Sequence, residues 1–147
     1  MTPNQYHSLS KETVDKLYAT YFSLKNSSVP AELAILTEVF VSRINACDFC
    51  IGYHVKDAQK HGISQEKIDA VSMDVYQDAM CLDEQEKWAL QYAHAVTINQ
   101  KERYEELHKQ LEQTFTSQQI VDLTLVISIT NCFNKLTGSL KYATLNA

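Results

Sequence analysis

Apolar residues recur along this chain at three- and four-residue steps, the period of an α-helix. Val14, Leu17, Tyr18, Tyr21 and Phe22 fall on one face and predict a first helix over about 10–25, ended by Asn26-Ser27-Ser28. Pro30 suits the first turn of a second helix, on which Leu33, Leu36, Phe40, Val41 and Ile44 make a continuous stripe. Asn45-Ala46 breaks that pattern. A third helix begins near Cys47 or Asp48 and stops at Gly62, a good C-terminal cap. Ser64 caps a short fourth helix through about Met73. Asp83 with Glu86 has capping-box spacing and opens a fifth helix carrying Trp88, Leu90, Tyr92 and Val96. A charged helix covers about 102–113. Thr116 with Gln119 then opens a last helix over about 117–142. Ile120, Val121, Leu123, Leu125, Val126, Ile127 and Ile129 make that helix apolar nearly all round. Such a helix is expected to be buried on most sides, as the central core helix or within a subunit interface.

The 147 residues suit one domain, and no repeat, linker or low-complexity stretch divides 1–147. Only 3 Gly and 2 Pro are present, and turn-rich β folds consume both, so the expected class is all-α with about six to seven helices. Thirteen Lys+Arg face 18 Asp+Glu, a net charge of −5 without a basic patch, which argues against nucleic acid as a partner. No basic-then-apolar leader opens the chain. The apolar run Ile120–Ile129 is too short and too polar to span a bilayer, so no membrane association is expected and the expected location is cytoplasmic. In that setting four cysteines, two of them spaced C-x-x-C, point to redox or metal chemistry and not to a disulfide framework.

The chemistry gathers at Cys47-Asp48-Phe49-Cys50-Ile51-Gly52-Tyr53-His54. At about 100° per residue, Cys47, Cys50, His54, Ala58 and His61 share one helical stripe. Cys50 therefore neighbours both Cys47 and His54. A helix N-terminus stabilises a thiolate, and His54 can take the proton of Cys50 or, as imidazolium, favour its thiolate. A thiolate that attacks a peroxide becomes a sulfenic acid, which a neighbouring thiol condenses to a disulfide. The run thus holds a nucleophile, a resolving group and an acid/base. Two plainer readings stand beside it. The same three residues could ligate zinc, although Cys81 and Cys132 are isolated and no second paired motif supplies a fourth ligand. The cysteines could also simply be packed.

From Glu38 to Gly62 the chain resembles the core motif of the alkylhydroperoxidase D-like, or carboxymuconolactone decarboxylase, family. The resemblance is carried by Val41-Ser42, Asn45, Cys47, Phe49-Cys50, His54, Lys56-Asp57-Ala58 and Gly62. It continues more loosely through 86–93 and 115–135. It implies an all-helical alkylhydroperoxidase D-like fold that assembles as homo-trimers or homo-hexamers. It further implies peroxide reduction, with Cys50 as attacking thiolate, Cys47 as its disulfide partner and His54 in a proton relay. The implied partners are a peroxide or other small oxidant and a thiol electron donor, either a lipoyl-type dithiol or a thioredoxin-like protein. No metal or haem cofactor is implied. The family's lactone decarboxylases generally lack the cysteine pair, so its presence favours the peroxidase branch. Lactone decarboxylation and a non-enzymatic redox-sensing oligomer are the alternatives.

One position departs from the family pattern, which places a relay Glu twelve residues before the first Cys. Here that residue is Ile35. Glu38 lies one turn nearer the cysteines, on the polar face with Ser42 and Asn45, and is the candidate replacement. Its plainer reading is an exposed helical Glu. Glu86 is a second candidate, competing with its role as reciprocal cap to Asp83. Phe49 and Tyr53 either wall a substrate pocket or pack in the core. His61 reads as a complement to its helix's C-terminal dipole, Cys132 as packing, and Cys81 as an exposed loop cysteine. His94 and His108 have no metal-type spacing.

Overall fold

The computed structural model describes residues 1–146, and among them every regular element is helical. Eight α-helices follow in order: α1 Pro3–Leu9, α2 Lys11–Ser23, α3 Ala31–Ile44, α4 Asp48–Lys60, α5 Gln65–Ser72, α6 Glu84–Thr97, α7 Tyr104–Leu111 and α8 Ser117–Leu140. Two 3-10 turns, Leu24–Asn26 and Lys101–Arg103, complete the set.

The starts and stops follow local chemistry. Reciprocal capping boxes join Asp83 to Glu86 and Thr116 to Gln119, each side chain accepting from the other's backbone N–H. Ser64 accepts from the Lys67 amide to cap α5. Gly62 ends the α4 region at φ +70, a left-handed conformation that glycine adopts without steric cost. α1 is an addition to the elements expected from the pattern. It is only seven residues long and buries only Tyr6, so no apolar period announces it. Its local signals are the Thr2–Gln5 capping box and Pro3 at the first helical position.

The centre of the fold is α3 and not α8. Every residue from Leu33 to Ser42 is buried, because α4, α5, α6 and α8 all pack on α3 and leave it no solvent face. Burial there takes in Thr37, Glu38 and Ser42 with the apolar stripe. α8 buries Ile120, Leu123, Val126, Ile127 and Ile129 but turns Val121, Leu125, Ser128 and Cys132 outward along one stripe. The expected burial of α8 on most sides therefore holds for its inner face alone. Cys132 is exposed, not packed, because α8 has a single layer of neighbours.

Asparagines clamp α3 to α8. Asn45 Nδ2 donates to Asn131 Oδ1 (2.8 Å) and Asn134 Oδ1 (3.0 Å), and Asn134 donates to Ser42 Oγ (3.1 Å). This satisfies polar groups that burial would otherwise penalise. It also fixes the turn into α4, where Ala46 takes φ +50 and the Cys47 amide donates to Ser42 O (3.0 Å).

Candidate active site

That turn delivers Cys47 as the N-cap of α4 and Cys50 into its first turn. The Cα atoms stand 5.3 Å apart and the sulfurs are joined in a disulfide. Both cysteines are buried, and so is His54, one turn beyond Cys50 on the same face.

Glu38 comes to this stripe from the middle of α3. It is 3% exposed, which rules out the surface reading. Its Oε2 lies 3.2 Å from His54 Nδ1, within ion-pair range of a protonated ring. The pair is not aligned as a hydrogen bond, and Nδ1 has no hydrogen-bond partner among the described residues. Ile35 is buried in the core, where an apolar side chain belongs. Glu86 is elsewhere: Oε2 accepts from the Asp83 amide (2.9 Å) and Oε1 pairs with Lys67 (2.7 Å), so it serves the cap and a partly buried ion pair.

Two residues that sequence reasoning did not single out complete the cluster. Lys25, in the 3-10 turn after α2, places its ammonium 3.4 Å from the same Glu38 oxygen and 3.2 Å from Asp57 Oδ2. It also sits 4.8 Å from the centre of the Tyr21 ring. Burial alone would lower the Lys25 pKa, but Glu38, Tyr21 and Asp57 outweigh it and the pKa is raised. Tyr21 is buried, its ring centre 6.3 Å from that of His54. Burial, then the Glu38 charge, raises its pKa, so it stays a neutral phenol. The buried Glu38 carboxylate thus lies between an ammonium and an imidazole, which offsets the cost of taking it out of water. No sequence spacing signals Lys25 or Tyr21, because α2 reaches the site only through tertiary packing.

A cleft of about 180 Å³ opens on Cys50 and His54. Tyr6, Tyr18, Tyr21, Phe49, Tyr53 and Phe133 wall it, which suits an apolar small molecule. Phe49 and Tyr53 are 59% and 50% exposed, so they line this mouth and do not pack in the core. His61 is exposed and contacts its own Asp57 carbonyl (2.9 Å), away from the sulfurs. Cys81 is half-buried.

A C-x-x-C pair so arranged can accept two electrons as its S–S bond opens to two thiols and give them up as the bond re-forms, beside the buried His54 and Glu38. The family model of the carboxymuconolactone decarboxylase family matches residues 11–95. A curated relative, the uncharacterized protein YdfG of Bacillus subtilis (strain 168), is 29% identical over 113 residues, 76% of each chain. A crystal structure from Agrobacterium tumefaciens, of a protein of unknown function described as a candidate antioxidant defence protein AhpD, superposes with a TM-score of 0.88. It is 25% identical, over 100% of both chains. An uncharacterized peroxidase-related protein from Silicibacter sp. TM1040 shares the fold at a TM-score of 0.79 and 23% identity, over 87% of this chain and 68% of its own. With 85 of its 147 residues matched by the family model, this all-helical chain with its C-x-x-C pair belongs to the carboxymuconolactone decarboxylase family.

Proposed function

We propose that this protein is a thiol-dependent peroxidase serving antioxidant defence in the cytoplasm. The observation that carries the reading is the Cys47–Cys50 disulfide one helical turn from His54, with the buried Glu38 carboxylate 3.2 Å from that imidazole. The description of the Agrobacterium protein as a candidate antioxidant defence protein points the same way.

In the reduced enzyme His54 takes the proton of Cys50, with Glu38 supporting the imidazolium. The Cys50 thiolate attacks one peroxide oxygen. An S–O bond forms, the O–O bond breaks, and the leaving oxygen departs with the electron pair and takes the proton from His54. Cys47 then attacks the Cys50 sulfenic acid, expelling water and forming the disulfide. A thiol donor, of lipoyl-dithiol or thioredoxin type, returns two electrons. No step needs a metal or cofactor. Self-association is part of the proposal, supported by the outward Val121 and Leu125 on α8, an apolar pair left 54% and 45% exposed.

The test is turnover. Reduced protein with excess dithiothreitol and an organic hydroperoxide should consume many equivalents of peroxide, and Cys50→Ser or Cys47→Ser should abolish this. Wild-type protein with titratable thiols and no consumption would refute it. Activity of a different kind that survives replacement of both cysteines would indicate a lyase using His54 and Glu38. Disulfide formation without turnover would indicate a redox sensor.

A further inference from the structure

A second cleft, of about 230 Å³, lies between the start of α4, the end of α8 and the N-terminal residues Met1 and Thr2, with Cys47, Asp48, Gly138 and Lys141 in its wall. The aromatic cleft reaches Cys50 and not Cys47; this one reaches Cys47 and not Cys50. Pro3, Phe49 and Thr137 stand in the walls of both and separate them. Their chemistry differs. The first is walled by rings, whereas the second carries the Asp48 carboxylate, two ammonium groups (Lys141 and the Met1 N-terminus) and the bare backbone of a glycine.

We propose that the disulfide is served from two sides: oxidant meets Cys50 in the aromatic cleft, and a small polar dithiol, or the exposed dithiol end of a larger donor, attacks Cys47 through the second cleft. The proposal rests on the peroxidase reading and names where its reductant enters.

Thiol–disulfide exchange sets two demands. The attacking sulfur approaches along the S–S axis from the side away from the leaving sulfur, and the leaving sulfur departs faster when it is well stabilised as a thiolate. For the first demand, the second cleft borders Cys47 and not Cys50, so a donor entering it meets Cys47 before the leaving sulfur. The helix meets the second. Cys50 sits in the first turn of α4, among N–H groups without helical partners and one turn from His54, whereas Cys47 is the N-cap outside it. The donor thiolate bonds to Cys47 Sγ, the Cys47–Cys50 bond breaks, and its electron pair leaves on Cys50. The donor's second thiol loses a proton to solvent and attacks the donor sulfur of the mixed disulfide. Cys47 is released and takes up a proton. The donor leaves as a cyclic disulfide, oxidised by the two electrons that the protein gains.

Gly138 supplies the test, because it lines the cleft and a Cβ built there meets nothing within 4 Å, so a larger side chain is accommodated at the cleft wall. Each half-reaction is followed in a single turnover by thiol titration: oxidation of reduced protein by hydrogen peroxide, and reduction of the disulfide form by dithiothreitol. Gly138→Phe is expected to slow reduction at least tenfold and leave oxidation within twofold. Gly138→Leu gives a smaller effect of the same kind and substitutes for Gly138→Phe if that variant does not fold. Reduction at the wild-type rate in a folded variant, or equal slowing of both half-reactions, overturns the proposal. A wild-type protein that peroxide does not oxidise overturns the peroxidase reading instead, while the reduction arm still reports on the cleft.

Discussion

Replacing Lys25 with methionine keeps most of the stem's bulk and deletes the one ammonium between Glu38 and Asp57. At an effective dielectric of about 20, unit charges 3.4 Å apart attract by about 5 kcal/mol, and the Asp57 contact at 3.2 Å is similar. Much of that attraction is offset by the desolvation of the groups that make it. Losing one partner of a fully buried pair costs about 3–5 kcal/mol, and losing a surface pair about 0–1 kcal/mol. Glu38 belongs to the first class, with its side chain 4% exposed, while the Lys25 side chain keeps 32% exposure and admits water. The expected loss is therefore about 2 kcal/mol. For a domain of this size that is a fall in Tm of about 4–8 °C. The assay is urea unfolding of the disulfide form followed by far-UV circular dichroism, with Lys25→Arg as the charge-retaining control. The pH dependence follows from the raised Lys25 pKa. A lysine held above its unfolded value contributes fully below about pH 10.4 and loses its contribution as pH rises through the folded value. The deficit of Lys25→Met should thus be level from pH 6 to 9 and shrink in strong alkali. A variant within 0.5 kcal/mol of wild type at pH 7, by about the threshold for surface changes, would refute the reasoning, as would equal losses in Met and Arg.

Glu38→Gln keeps the shape of the proposed relay but removes its charge, and single-turnover oxidation by peroxide at pH 7 should slow by about 10²-fold; an unchanged rate would remove Glu38 from that proposal. Gly62→Ala places a Cβ at φ +70 and should cost about 1–2 kcal/mol in urea unfolding with peroxide turnover per folded molecule unchanged. Val121→Glu with Leu125→Glu charges the outward stripe of α8 and should lower the mass seen by light scattering. A monomeric wild type would contradict self-association.

What the sequence disclosed depended on range. Helix ends were legible because caps act within four residues: Asp83 with Glu86, Thr116 with Gln119, Ser64 and Gly62 all announce themselves locally. The Cys47, Cys50, His54 stripe was legible for the same reason, one helix and one period. Glu38 was reached as a candidate through the helical wheel of α3, but its burial was not. That burial depends on four helices closing around α3. Lys25 meets the site from the 3-10 turn after α2, Tyr21 meets it from α2, and Asn134 clamps α3 from α8, so no local spacing ties any of them to the thiols. α8 misled because composition reports how apolar a helix is, not how many neighbours it has. Val121, Leu125 and Cys132 remain outside because no further helix among the described residues covers them.

The most direct measurement concerns Cys50 alone. Reduced Cys47→Ser protein, treated with one equivalent of hydrogen peroxide and dimedone, is digested and read by mass spectrometry. If Cys50 is the attacking sulfur, it cannot form its disulfide in this variant, and the expected result is a dimedone adduct on Cys50 with little on Cys81 or Cys132. An unlabelled Cys50, or label on the exposed Cys132 instead, would contradict a peroxidase working through this site.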